Sequence, residues 1–156
     1  MSQTFDFVSN EDKPALIAFS TPEWLQEAKT ALQDLRYKVH TAATHSDFLI
    51  RFSQAPYQVV ILEELFGANT TDENLTLKAL QHMPVSQRRH CTILLIGNSF
   101  QTFTPIEAFQ HSVHAVINSS EMFLLKQLVE KAVADNQIFL QSFREVQNRI
   151  FKNASR

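Results

Sequence analysis

The sequence predicts an α/β fold: a doubly wound, five-stranded parallel sheet with an extended C-terminal helix. Three observations carry this. Short runs that are apolar throughout recur five times, as strands buried on both faces require. A segment of helical character follows each one, so crossover connections and a parallel sheet are expected. The last such segment runs for about thirty residues without a glycine or proline, longer than one sheet needs as cover.

The elements follow in order. A polar front segment, residues 1–12, reads as loose; the domain proper spans 13–135, and 136–156 is a helical extension. The first strand is Ala15 to Phe19. Thr21 is placed to cap the next helix, with Pro22 at its first position and Glu23 at its positive end. Leu25, Ala28, Leu32 and Leu35 then form one helical stripe. Lys38 to Ala43 is the second strand, and "THSDFLIRFSQA" is a short helix carrying Phe48, Leu49 and Phe52. "QVVIL" is the third strand; the helix after it opens in "TTDEN" and closes at Pro84. Cys91 to Gly97 is the fourth strand, followed by a helix for which Thr104 and Glu107 predict a capping box. His114 to Asn118 is the fifth strand. Five units in about 125 residues fill a sandwich and are too few for a closed eight-stranded barrel.

Composition narrows the function classes. The chain has 156 residues, 44% hydrophobic and 19% charged, enough for a sizeable core. A net charge of -2 gives no electrostatic ground for nucleic acid as a partner. Arg88, Arg89 and His90 read as a solvated helix end. The single cysteine, Cys91, leaves no intramolecular disulfide and reads as a buried thiol. The first residues lack the pattern of a signal peptide, and no apolar segment approaches the ~20 residues that a membrane span needs. A reducing cytoplasm is expected.

The element order, together with the phrase "APYQVVILEE" (Ala55 to Glu64), resembles the receiver domain of bacterial response regulators, the CheY-like family, over residues 13–135. The resemblance implies a flavodoxin/CheY-like sheet with its chemistry at the carboxyl ends of the strands. It also implies specific residues there. Two acids that hold Mg²⁺ after the first strand fall on Phe19 and Ser20. The phosphoacceptor aspartate falls on Glu63, the hydroxyl residue of the fourth strand on Gly97, and the lysine of the fifth on Ser119, with Ser120 in place of the usual proline. Mg²⁺ needs converging hard oxygen ligands, and phosphoryl transfer is mostly positioning and charge stabilisation. A chain with these replacements is expected to have a degenerate phosphoacceptor site, neither metal nor cofactor, and no enzymatic activity. Glu63 is expected to be a solvated strand end, with a fixed imitation of the phosphorylated state as the rival reading. Phe19 is expected to cover the old pocket.

Other constellations carry less. His111 and His114 lack a third ligand for zinc. His40 and His90 read as surface or edge residues. With only Gly67 and Gly97 there is no glycine-rich phosphate loop. Ser20 and Thr21 at a helix start, where free amides can hold an anion, support an alternative: a flavodoxin-like small-ligand binder. No nucleophile–base set can be assembled.

The last segment is the most informative. Met122, Leu125, Val129, Ala132, Asn136, Phe139, Phe143, Val146 and Ile150 alternate gaps of three and four, a heptad seam. From Ser120 to Phe151, ~32 residues at ~1.5 Å each give ~48 Å, beyond a domain ~30 Å across. Asn136, Phe139, Phe143, Val146 and Ile150 are therefore the expected interface, with a homodimer or a protein partner; the competing expectation is a bend near Asp135 and Asn136 that folds the stripe back. A signalling or scaffolding module results, with an output domain beyond Arg156 as a further possibility.

Overall fold

A computed structural model describes residues 8–9, 11–88 and 90–154. Five strands form one parallel sheet in the order β2-β1-β3-β4-β5. They are β1 (Pro14–Ala18), β2 (Lys38–Ala42), β3 (Val59–Glu63), β4 (Thr92–Gly97) and β5 (Ala115–Asn118). The helices are α1 (Pro22–Asp34), α2 (His45–Gln54), α3 (Leu75–His82), a single turn α4 (Val85–Arg88), α5 (Pro105–His111) and α6 (Leu125–Ala154). Two 3₁₀ turns, Thr71–Glu73 and Ser119–Leu124, precede α3 and α6. Predicted strand ends shift by a residue or two, within ordinary fraying. The front segment falls largely outside the described residues, and so does Arg89.

Alternation along the buried strands builds two cores. Ala15, Ile17, Val59, Ile61, Leu94 and Ile96 face α1 and α6. Leu16, Ala18, Val60, Leu62, Ile93 and Leu95 face α2, α3 and α5, where Phe48, Leu77, Leu80 and Ala108 close the other layer. The doubly wound reading holds, and the sheet order puts the β1/β3 switch point at the centre.

Local chemistry departs from expectation in four places. Thr21 precedes α1 but its side chain caps nothing. Thr104 and Glu107 make no reciprocal box: Thr104 Oγ1 donates to the Gln101 carbonyl, and Glu107 accepts from the Gln101 N–H instead. The chain re-enters a helical turn, α4, directly after Pro84, a proline being tolerated at a helix start. His40 is buried rather than superficial, with its Nδ1 2.6 Å from the Tyr57 hydroxyl. By contrast, Thr44 caps α2 by accepting from the Asp47 N–H, and Asn74 caps α3 by accepting from the Leu77 N–H. Cys91 is buried as expected, which pushes its thiol pKa up to about 12.

The final helix begins later and ends later than predicted. Glu121 departs from helical geometry, so 119–124 is a 3₁₀ turn and the α-helix starts at Leu125. It then runs 30 residues without interruption past Asp135 and Asn136. The bend that a fold-back requires is absent from this span. At ~1.5 Å per residue the helix is ~45 Å long. Every residue from 141 to 153 is exposed, so its last three turns leave the domain.

Candidate functional site

The carboxyl ends of β1, β3, β4 and β5 meet at one edge of the sheet, and the loops that follow them carry the polar residues. The strand that ends in two carboxylates explains the edge. Glu63 is the last residue of β3, yet only 7% of it is exposed. Its side chain reaches across to the β1–α1 loop. Oε1 accepts from the backbone N–H groups of Ser20 and Thr21 at 2.9 and 3.0 Å, and Oε2 accepts from Thr21 Oγ1 at 3.0 Å. The negative charge therefore sits at the positive end of α1. This corrects the solvated strand end, and it shows where the Thr21 hydroxyl goes instead of capping. It also fills the anion site on which the small-ligand alternative rested, because those two amides are satisfied by the chain's own carboxylate.

Glu64 turns the other way and is 9% exposed. Thr71 Oγ1 donates to its Oε2, and Ser99 Oγ is shared between its two oxygens at 3.0 and 2.9 Å. The carboxylate occupies the volume beside Gly97. A Cβ built on Gly97 would stand 2.3 Å from Glu64 Oε1 and 2.9 Å from Glu64 Cβ. Gly97 is thus not a bare vacancy at the fourth strand's end: its lack of a side chain is what lets Glu64 in.

The remaining loops are tied in the same manner. Gly67 N–H donates to Ser20 Oγ at 3.1 Å, joining the loops after β1 and β3. Gly67 holds a positive φ of 57°, and a Cβ there would meet His45 Nε2 at 2.8 Å, so both backbone and space call for glycine. His45 Nδ1 accepts from the Thr76 N–H, which fixes the proton on Nε2 and lets that nitrogen donate to the Gly67 carbonyl. Asn74, fully buried, donates to the carbonyls of Glu63 and Glu64. Asn118 donates to the Phe100 carbonyl, and Ser119 Oγ donates to Asn98 Oδ1. Asn74, Thr71, Ser99 and His45 were not singled out from sequence. Polar residues in loops give no spacing signal of which carboxylate they serve.

Phe19 is brought near the edge but not over it. Its ring is 5% exposed and belongs to the core under α1 and α6, edge-to-face with Trp24 at 6.5 Å between centroids. The expectation that it covers a pocket is corrected: it has joined the hydrophobic layer. A divalent cation does not fit this edge. Its expected ligand positions present a core phenylalanine, a serine hydroxyl engaged by Gly67, and a glutamate whose oxygens accept three hydrogen bonds. Among the described residues no group of three His, Cys, Asp or Glu side chains could hold a metal. His114 Nδ1 accepts from the Ile93 N–H; burial, with Arg88 nearby, pushes its pKa down to about 4.

The five expected interface residues divide. Asn136 is buried and donates from Nδ2 to Thr92 Oγ1 at the start of β4. It belongs to the domain's own core, so its assignment to an intermolecular seam is corrected. Phe139, Phe143, Val146 and Ile150 are 60%, 38%, 54% and 63% exposed. The residue missed is Leu140, 9% exposed, which continues the buried face. The physical reason is pitch. A straight helix on a sheet keeps a 3.6-residue period, so after Asn136 burial passes to the residue four on, while the strict heptad drifts away by ~20° per repeat.

This is the architecture of the CheY-like, flavodoxin-type fold: a parallel β2-β1-β3-β4-β5 sheet with helices on both faces, here with a long C-terminal helix. No family model matches the chain, and no curated protein matches it. Solved structures do. A protein assigned as a response regulator from Chloroflexus aurantiacus aligns at 16% identity over 80% of this chain and 99% of its own, with a TM-score of 0.64. The chemotaxis response regulator CheY4 of Vibrio cholerae aligns at 20% identity over 75% of this chain and 98% of its own, with a TM-score of 0.56. A fusion carrying the yeast Spc42 trimeric coiled coil aligns at 18% identity over 96% of this chain and 100% of its own, with a TM-score of 0.62. At these identities the likeness shows the fold. No helix among the described residues is long and apolar enough to cross a membrane.

Proposed function

We propose that this chain is a receiver-like signalling or scaffolding module that does not take a phosphoryl group and acts through protein contacts made with its C-terminal helix. One observation carries the reading: the carboxylate at the phosphoacceptor position is consumed by Ser20 N–H, Thr21 N–H and Thr21 Oγ1. A carboxylate so held is not aimed at an incoming phosphorus. The residues around it supply neither a metal nor the cation that balances a transferred phosphoryl group. The exposed apolar stripe on the part of α6 beyond the domain supports the second half of the proposal, since such surface marks an interaction site.

The test is incubation with acetyl phosphate and Mg²⁺ followed by intact mass measurement. The expected result is an unmodified chain. A stoichiometric gain of one phosphoryl group, located on Glu63, refutes the proposal. A parallel Mg²⁺ titration followed by Trp24 fluorescence is expected to show no saturable change; saturation that disappears in Glu63→Gln counts against it as well.

A further inference from the structure

We infer that the cleft at the base of the domain is a peptide site, and that the segment it binds is the chain's own residues 1–7, with Phe5 and Phe7 on its floor and Asp6 at Arg144. The site lies at the opposite end of the sheet from Glu63. It uses a different face of α6 from the exposed stripe, so it stands whether or not that stripe recruits a partner.

The cleft exists because α6 overshoots the sheet. Asn136 meets Thr92 at the start of β4, and the helix below that point forms a free-standing wall. Val133, Asn136, Gln137, Leu140, Gln141 and Arg144 line the cleft, spaced by three and one as a single helical face requires. At ~100° per residue that face lies about a third of a turn from Phe139, Phe143, Val146 and Ile150. The cleft encloses about 1020 Å³. Its floor is apolar: Phe52, Tyr57, Met83 and Cys91, with Leu140 at the side. Its rim carries the amides of Gln58, Gln87, Gln137 and Gln141, and Arg144 is its one permanent charge. Neither Asp nor Glu is among the described residues that line it. Each amide both donates and accepts, as the backbone of an extended peptide does. An apolar floor, paired donors and acceptors, and a cation together select a peptide with apolar side chains and a carboxylate.

Position, reach and chemistry name the segment. Val8 lines a smaller pocket of about 210 Å³ together with Ala55, Pro56 and Tyr57, and the same three residues line the cleft. The chain therefore joins the described fold next to the cleft, with only the loop before β3 between them. Residues 1–7 lie outside the described residues; their sequence is MSQTFDF. Extended, that length reaches at most ~25 Å, enough to cross the loop and run along the cleft. In an extended segment Phe5 and Phe7 point to one side and Asp6 to the other. Two aromatic rings match the floor, and the carboxylate between them is then directed to the rim. There Arg144 has no carboxylate partner among the described residues. Tethering supplies the rest. A short link holds its segment at an effective concentration of the order of mM, so modest intrinsic affinity suffices to keep it bound.

The test follows the methionine methyl signals of the full chain by NMR. Met83 lies on the cleft floor and Met122 in the core on the other face of the sheet, so the second signal reports the fold. Phe5→Ala/Phe7→Ala removes both rings; it is expected to shift the Met83 methyl and leave that of Met122 in place. The synthetic peptide MSQTFDF, added to this variant, is expected to return Met83 saturably toward its wild-type position. The peptide is expected to bind wild type about tenfold more weakly, because the tethered segment competes. Adding Arg144→Glu to the variant is expected to weaken peptide binding about fivefold, as reversal of one exposed charge does. A Met83 signal identical in wild type and Phe5→Ala/Phe7→Ala overturns the inference. Equal peptide affinity for those two chains assigns the cleft to a peptide of another molecule and overturns it too. A wild-type Met83 signal that moves to the variant's position on dilution means that the segment comes from a second copy, which overturns binding within one chain. Unchanged affinity with Arg144→Glu overturns the contact with Asp6.

Discussion

Replacing Gly97 by alanine tests whether Glu64 and Gly97 are one unit. The new Cβ would meet Glu64 Oε1 at 2.3 Å, Cβ at 2.9 Å and Cδ at 3.1 Å. The Glu64 Cβ is close to the backbone and cannot swing far, so the whole side chain must leave its hydrogen bonds to Thr71 and Ser99. Overpacking of this kind costs ~1–3 kcal/mol, and charge-assisted hydrogen bonds are worth ~1.5–3 kcal/mol each before water replaces them. An alanine in place of glycine returns ~0.4–1 kcal/mol through the unfolded chain where the backbone accepts it. The net expectation for Gly97→Ala is a loss of ~2–3 kcal/mol. Glu64→Ala alone should lose ~1–2 kcal/mol, because two hydroxyls lose their acceptor at a site water can reach. In the double variant the alanine at 97 no longer meets the carboxylate, but the Cβ kept at position 64 still stands 2.9 Å away, so only part of its cost is relieved. A coupling of ~1 kcal/mol results, above the ~0.3–0.5 kcal/mol at which independent sites add. Urea denaturation of the four proteins measures it through the midpoints at constant slope. Additive single effects would refute the argument, since Gly97 would then be glycine for a reason other than the Glu64 side chain.

Glu63→Asp shortens the side chain by one methylene and withdraws it from Ser20 and Thr21; we expect a loss of ~2–3 kcal/mol by urea denaturation, and still no phosphoryl uptake from acetyl phosphate by intact mass. Thr44→Ala removes the α2 cap and should cost ~1 kcal/mol in the same assay. For His114 the folded pKa of about 4 lies below the ordinary value of 6.5, so the unfolded chain binds its proton first. Its contribution to stability is complete above pH 6.5 and is lost as pH falls toward 4; an NMR titration of the ring that shows a midpoint near 6.5 would remove the basis for this. Cys91 should resist a thiol reagent at neutral pH in the native state and react after unfolding in urea.

The fold was legible because it rests on features that periodicity records. Runs such as Val59 to Leu62 are apolar at every position, which only a strand covered on both faces requires, and the sheet places both faces of that run in a core. The candidate site was legible by position alone. The resemblance to the receiver family, carried over position by position, pointed to Glu63, Gly97 and Ser119 at the ends of strands, yet what each side chain does there depends on partners distant in sequence. Glu63 reaches Thr21 across 42 residues and Glu64 reaches Ser99 across 35, and no local pattern announces either contact. The misplaced cap at Thr21 follows from the same fact, because its hydroxyl goes to Glu63; at Glu107 the competitor is local, the Gln101 N–H six residues back. Leu140 was missed for a different reason. A 3.5-residue and a 3.6-residue stripe coincide over two turns and part only where the helix approaches the edge of the sheet.

The extra methylene of glutamate gives the edge a further property on the proposed reading. A receiver that switches needs loops with two arrangements of similar free energy, one of them favoured by the modification. Here the loops after β1 and β3 are joined by Glu63–Thr21 and Ser20–Gly67, the loops after β3 and β4 by Glu64–Ser99, and the loops after β4 and β5 by Ser119–Asn98. The ties close a chain across the whole edge, and each link is a side chain already at its acceptor or donor. A ligand that favours a second arrangement must break several of them together, so the two states are far apart in free energy and a single small modification shifts little population. Control then passes to whatever changes occupancy of the α6 surface, and an association equilibrium is set by concentration. Hydrogen exchange distinguishes the two modes of control. Ser20, Thr21 and Gly67 amides should be protected as strongly as those of the strands they adjoin, and that protection should not change between dilute and concentrated protein, whereas amides of residues 141–153 should gain protection as concentration rises. Rapid exchange at Ser20 and Thr21 would show that the edge opens on its own, and the fixed-edge argument would fail with it.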